Sequence, residues 1–90
     1  MHTLPDIAGA DATVGLGNPA GARASWVKFL VSNNGPVRIG DQNTGVNQGW
    51  LISSGGILEL PWRGQLTWYA MDQLRVYVPT GATVTVVYAD

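Results

Sequence analysis

The sequence contains no cysteine, so neither a disulfide nor a thiolate metal site can cross-link the fold. Charge is also scarce: 12% of the 90 residues are Asp, Glu, Lys or Arg, against about 25% in an average soluble domain. With a net charge of −1 and five basic residues, the chain cannot neutralise a row of phosphates. We therefore expect no nucleic acid partner.

Long apolar runs are missing as well. No stretch approaches the roughly 20 apolar residues that a membrane-spanning helix needs, so we expect no membrane partner. Residues 1–6 lack the basic and apolar regions of a secretory signal. Because β-branched and aromatic residues are frequent, intrinsic disorder is not expected either. These absences together predict a soluble globular domain made inside a cell.

Catalytic motifs are equally scarce. The single histidine, His2, lies at the N-terminus, where we expect no ordered general base. The sequence has neither a serine nucleophile elbow nor a phosphate-binding glycine loop. Glu59 is the one carboxylate within a predicted strand, and it is expected to face solvent. We predict no enzyme activity and no cofactor.

What the sequence does contain is apolar and glycine-rich: 46% hydrophobic residues, 12 Gly, 5 Pro and 4 Trp in 9.6 kDa. A monomer of this size buries about 60–65% of the surface that its unfolded chain exposes, which leaves a thin core. Small domains with too little core often gain stability by association. The composition therefore favours an oligomer.

Residues 1–23 consist largely of Gly, Ala, Pro and Asp, and their apolar residues are too scattered for an amphipathic helix. Two interpretations stay open: a frayed terminus, or an extended N-terminal arm that docks on a neighbouring molecule. In the second interpretation, Ala12-Thr13-Val14 add one short strand. The side chains expected to hold the arm on its partner are the apolar ones: Leu4, Ile7, Val14 and Leu16.

Residues 24–90 differ in character, because β-branched and aromatic runs alternate with turn signals at a spacing of about 8–12 residues. The segment 33–36 carries the Asn-Gly-Pro signal of a tight hairpin. We predict an all-β domain, a small antiparallel β-sandwich or barrel of jelly-roll-like type. Its predicted strands cover 25–31, 37–39, 50–52, 57–60, 66–70, 74–78 and 83–88.

Alternation of side chains assigns the faces of these strands. In the first, Val27, Phe29 and Val31 form an apolar face. The opposite face carries Trp26, Lys28 and Leu30, which is too apolar for open water and predicts a second layer or a subunit contact. The same rule places Ile57 and Glu59 opposite Leu58 and Leu60, and Arg75 and Tyr77 opposite Leu74, Val76 and Val78. The predicted subunit contacts are Trp26, Leu30, Trp62 and Tyr77.

The most polar stretch is the segment 40–49, which Trp50 follows. One interpretation is structural, because Asp and Asn side chains shape loops through Asx-turns. A second is a calcium loop, but position twelve counted from Asp41 is Ile52, where a Glu would be needed. A third is a sugar site, in which the indole stacks on a pyranose. Its ligand-binding residues would be Asp41, Asn43, Gln48 and Trp50.

The order of these signals resembles that of small all-β virion proteins of tailed bacteriophages. The resemblance covers roughly residues 27–88, and Trp50 and Trp62 depart from the small or aliphatic residues expected there. It is carried by Val37-Arg38-Ile39-Gly40-Asp41-Gln42-Asn43, Gly49-Trp50-Leu51-Ile52, Gly56-Ile57-Leu58-Glu59-Leu60-Pro61, Asp72-Gln73-Leu74-Arg75-Val76-Tyr77-Val78 and Gly81-Ala82-Thr83-Val84-Thr85-Val86-Val87-Tyr88.

The resemblance implies a capsid decoration (cement) protein, a trimer on the capsid exterior that binds the major capsid protein after synthesis in the host cytoplasm. It further implies that the N-terminal arm contacts the capsid, for which strand addition would need little charge. A head–tail or tail component is the other structural role it allows. A carbohydrate-binding module that uses the 40–50 loop remains the alternative from a different class.

Overall fold

The computed structural model describes residues 1–32, 34–41, 43–45, 47–60 and 69–89. Within these ranges the chain is all-β, as predicted, with two antiparallel sheets packed as a small sandwich and a short two-stranded pair. A 3₁₀ turn at Met71–Gln73 precedes the tenth strand. The strands are β1 (His2–Thr3), β2 (Ile7–Ala8), β3 (Ala12–Gly15), β4 (Arg23–Ala24), β5 (Trp26–Val31), β6 (Val37–Gly40), β7 (Trp50–Ile52), β8 (Ile57–Leu60), β9 (Tyr69–Ala70), β10 (Arg75–Val78) and β11 (Thr83–Ala89).

The strand order identifies the type of sandwich. The first sheet has the order β1-β11-β5-β8, with β2 also paired to β11, and the second has the order β3-β10-β6-β7. These two orders are those of a jelly roll, in which two Greek keys share their strands between facing sheets. The short β4 pairs with β9 outside both sheets. The jelly-roll-like architecture expected from the sequence is therefore confirmed.

Side-chain alternation builds the core between the sheets, as predicted. Val27 and Phe29 on β5 are fully buried, and so are Val84 and Val86 on β11. Their neighbours along each strand, such as Lys28 and Thr85, are only half-buried. Each fully buried Val or Phe side chain stabilises the fold by roughly 1.5–3 kcal/mol relative to an exposed one.

The predicted hairpin at 33–36 is wrong. The strand before it, β5, lies in the first sheet, and the strand after it, β6, lies in the second. Because β11 and β8 occupy the two edges of β5, the connection crosses between the sheets instead of turning back. A Cβ atom on Gly35 would lie 2.9 Å from Val31 Cγ1 and 3.2 Å from Ser54 Cα, so glycine lets this crossing pack closely.

Residues 1–23 are extended, but they belong to the sheets and do not form an arm outside the 24–90 domain. Strands β1 and β2 pair with β11, and β3 pairs with β10. The ring of His2 stacks on that of Tyr88, with centroids 4.8 Å apart. The prediction that the apolar side chains of this segment hold a partner is wrong, because they pack in or against the chain's own core: Leu4, Ile7, Val14 and Leu16.

Two carboxylates connect this N-terminal segment, through hydrogen bonds, to residues on either side of β10. Asp11 accepts hydrogen bonds from the backbone N–H of Thr80 at 2.9 Å and from its hydroxyl at 2.7 Å. Asp72 accepts from the side-chain amide of Asn18 at 2.8 Å and from the backbone N–H of Gly21 at 2.7 Å. Asp11 holds a φ of 53°, a left-handed conformation that Asp tolerates better than most residues.

These hydrogen bonds predict an acid-sensitive element of stability. The Thr80 hydroxyl and then its backbone N–H lower the pKa of Asp11 below its ordinary value of 3.8. The Gly21 N–H and then the Asn18 amide lower the pKa of Asp72 in the same way. Because both carboxylates are favoured in the folded state, their contribution is present above the unfolded-state pKa and is lost as pH falls through the folded-state pKa.

An NMR titration of the side-chain carboxyl carbons should show both groups titrating below 3.8. Thr80→Val removes the hydroxyl donor but keeps the shape of the side chain. It should raise the pKa of Asp11 and leave that of Asp72 unchanged. Equal movement of both values, or of neither, would contradict this assignment.

Candidate functional site

A cleft of about 400 Å³ lies where β6 ends and β7 begins. It brings together all four residues of the predicted ligand-binding loop: Asp41, Asn43, Gln48 and Trp50. The described residues that complete its wall are Ile39, Gly40, Thr44 and Gly49. The structure thus places the predicted loop residues around one concave surface.

The loop begins with the Asx-turn that was one of its three interpretations. The backbone N–H of Asn43 donates to Asp41 Oδ1 at 2.8 Å. The hydroxyl of Thr44 donates to the carbonyl oxygen of Asp41 at 2.7 Å, and the Thr44 side chain is buried. A Cβ atom on Gly40 would come within 2.7 Å of Thr44 Oγ1, so glycine permits this close return of the chain.

Two further contacts fix the loop to the second sheet, and a third closes the loop on itself. The Thr13 hydroxyl on β3 donates to the carbonyl oxygen of Thr44 at 2.6 Å. On β6, the guanidinium of Arg38 donates to the carbonyl oxygen of Gly49 at 3.0 Å. Within the loop, the backbone N–H of Gly45 donates to the carbonyl oxygen of Gln48 at 2.9 Å. The cleft is therefore preformed by the chain itself.

Several polar groups at the cleft have no partner in the described part of the chain. The side-chain amides of Asn43 and Gln48 make no hydrogen bond there. The second carboxylate oxygen of Asp41 is also unengaged there, since the Asx-turn uses only Oδ1. Beside them the side chain of Trp50 is 71% exposed. The cleft thus offers free donors and acceptors next to an accessible indole.

The described residues do not supply the set of ligands that the calcium interpretation requires. Ile52, at the position where a calcium loop needs a carboxylate, is buried in the core. Across the ranges described above, no three His, Cys, Asp or Glu side chains come together in a group able to hold a metal ion.

The predicted subunit contacts divide into three outcomes. Trp26 is only 9% exposed, and its indole N–H donates to Glu59 Oε2 at 2.6 Å, so its predicted role as an accessible contact is wrong. The physical reason is its register opposite the small side chain of Ala89 and its polar partner on β8. Trp62 lies outside the described residues.

The remaining two, Leu30 and Tyr77, are half-buried and lie beside more exposed apolar side chains. Leu30 is the register partner of Ile57, which is 56% exposed. Tyr77 lines a second cleft of about 390 Å³ together with Pro36, Arg38, Leu51 and Pro79, and Leu51 is 52% exposed. Leu30 and Ile57 lie on the outer face of the first sheet, and Leu51 and Tyr77 on the outer face of the second. Because all four are on or near the strands that end the sheets, β7 and β8, we call them the apolar edge.

Leu51 and Ile57 are exposed apolar residues that were not among the predicted contact residues. Both lie on strands at the end of a sheet: β7 ends the second sheet and β8 ends the first. A signal for Ile57 was available, because alternation places it on the outer face with Glu59. No such signal marked Leu51, since a three-residue strand is too short to assign its faces.

Comparisons with family models, curated proteins and solved structures found no match to this chain. Among the described residues, no helix is long and apolar enough to cross a membrane.

Proposed function

We propose that this chain is a non-enzymatic structural protein of a tailed-bacteriophage particle, a capsid decoration protein. It acts as a homotrimer on the capsid exterior and binds the major capsid protein. The sequence resemblance over residues 27–88 supports this role. The jelly-roll fold agrees by analogy, since capsid proteins are among the many proteins that use it. The observation that carries the self-association is the apolar edge.

The backbone at the apolar edge is suited to assembly. In the described part of the chain β7 pairs only with β6, and β8 pairs only with β5. Because residues 53–56 alone connect β7 to β8, both open edges lie on the same side of the sandwich. An open edge with exposed apolar side chains is a site of association unless something covers it. We propose that a second copy of the chain covers these edges.

The energetics favour copies of the same chain. About half of Leu51 and of Ile57 is still exposed, so burying each at an interface contributes roughly 1 kcal/mol per subunit. A ring of three subunits repeats this gain at every interface. A net charge of −1 opposes the approach of identical subunits very little.

Native mass spectrometry at micromolar concentration should show a trimer. Leu51→Glu and Ile57→Glu place a charge at the apolar edge and should each shift the population to monomer, because the buried carboxylates would be unpaired. Gln73→Glu adds the same charge at an exposed site outside β7 and β8 and should leave the trimer intact. A wild-type monomer, or edge variants that remain trimeric, would contradict the proposed assembly.

A separate experiment tests where in the particle the protein is located. Purified particles should contain this chain in a copy number comparable to that of the major capsid protein. A few copies per particle would instead assign it to the head–tail region or the tail. Absence from particles that are made in its presence would remove the virion role altogether.

A further inference from the structure

We propose that the cleft between β6 and β7 is a carbohydrate-binding site. In this site Trp50 stacks on a pyranose ring, and Asp41, Asn43 and Gln48 bind its hydroxyl groups. The inference does not depend on the proposed virion role, because it uses residues other than those of the apolar edge. It assigns a ligand class to a polar loop that the proposed self-association does not use.

The first observation is the position of the tryptophan. Trp side chains are highly buried on average, yet most of Trp50 faces solvent. Its register partner on β6, Ile39, is buried in the core, whereas Trp50, on the strand that ends the second sheet, is exposed. An indole presented in this way offers a flat apolar surface, which matches the C–H face of a sugar ring.

The second observation is the mixture of hydrogen-bonding groups. A sugar hydroxyl both donates and accepts, so it is best bound by neighbouring donors and acceptors. The free Asp41 oxygen accepts, and the amides of Asn43 and Gln48 each offer both functions. These are the groups that have no partner elsewhere in the described chain.

The charge of the cleft separates a sugar from other polar ligands. Asp41 is the only charged side chain among the described lining residues. A phosphate or sulfate would meet this carboxylate with no lining cation to compensate it. A divalent cation would find one carboxylate where several oxygen ligands are needed. A neutral polyhydroxylated ligand is the class that remains.

The third observation is preorganisation. The loop is held by the contacts from Thr13 and Arg38 and by its own Asx-turn, so little ordering is needed when a ligand binds. A volume of about 400 Å³ is at the small end of ligand sites, which span about 300–1,000 Å³, and leaves room for about one or two sugar rings.

The test is a glycan array probed with the full chain, followed by an NMR titration of the chain with the oligosaccharide that binds. Trp50→Ala should lower the affinity by about tenfold or more, and Trp50→Phe, which keeps an aromatic face, should lower it less. Asp41→Asn should also weaken binding. Leu51→Ala is the matched control, because it changes the next residue, which lines a different cleft.

Two results would overturn the inference. One is the absence of any array signal together with no shift of the Trp50 indole resonance in millimolar glucose, galactose or N-acetylglucosamine. The other is a bound glycan whose affinity survives Trp50→Ala or falls equally with Leu51→Ala. Trp50→Ala is expected to keep the trimer, whereas Leu51→Glu is expected to lose it and still bind sugar. The failure of one proposal is therefore distinguishable from the failure of the other.

Discussion

Replacing Leu16 by alanine should lower the free energy of unfolding by about 2–5 kcal/mol. Leu16 follows β3 and is only 1% exposed, so truncation removes buried methyl groups and leaves a cavity among well-packed neighbours. Domains of this kind have a total stability of about 5–15 kcal/mol, so the loss is a large fraction of the whole. Urea denaturation followed by circular dichroism measures it.

The matched control makes the same chemical change at an exposed position. Leu51→Ala should alter the free energy of unfolding by less than about 0.5 kcal/mol when the chain is monomeric, because half of that side chain is already in water. Comparing the two variants shows whether residues 1–23 are part of the folded core or an arm outside it. If Leu16→Ala is no more costly than Leu51→Ala, residues 1–23 are not part of the folded domain.

Replacing Gly9 by alanine should cost about 3 kcal/mol, although it adds a single methyl group. An ideal Cβ at this position would lie 1.8 Å from the carbonyl oxygen of Pro79 and 2.5 Å from its carbon. Because the obstacle is backbone, no side-chain rotation relieves it. Gly9 is also held by its N–H, which donates to the carbonyl oxygen of Ala82 at 2.9 Å, so the two backbones cannot separate without losing that bond.

Gly15→Ala supplies the control for Gly9→Ala. No atom lies within 4 Å of a Cβ built at Gly15, which is in β3, and its φ is not in the left-handed region. This substitution should leave stability unchanged or raise it by up to about 1 kcal/mol, because alanine has less conformational freedom to lose on folding. Thermal unfolding of the two variants, measured side by side, tests this difference. Equal unfolding midpoints would contradict the close approach at Gly9.

The parts of the fold that could be predicted are those in which alternation continues for four residues or more. In β10 and β11 every second residue is apolar, and the structure buries Val76 and Val78 on one and Val84 and Val86 on the other. Residues 1–23 offered no such run. Strands β1 and β2 contain two residues each, and only their pairing with β11, some eighty positions away in the chain, makes them strands.

For the candidate contact and ligand residues too, some positions could be predicted from the sequence and others could not. Asp41, Asn43, Gln48 and Trp50 lie within one short loop, so local turn chemistry was enough to bring them together. The burial of Trp26 was not predictable, because it depends on a hydrogen bond to Glu59, 33 positions along the chain. The crossing at 33–36 depends on β11 as well, since a local Asn-Gly-Pro signal does not reveal which sheet the next strand will join.

The position of β11 inside the first sheet also determines when that sheet can form during protein synthesis. It lies between β1 and β5 in the first sheet, yet residues 83–89 come after every other described strand in the chain. Until they emerge, β1, β2 and β5 have been made but lack the strand that joins them. Such distant pairings fold slowly, over about milliseconds to seconds in all-β proteins. The nascent chain therefore carries β1 and β2 unpaired, and one edge of β5 open, until this region has been synthesised.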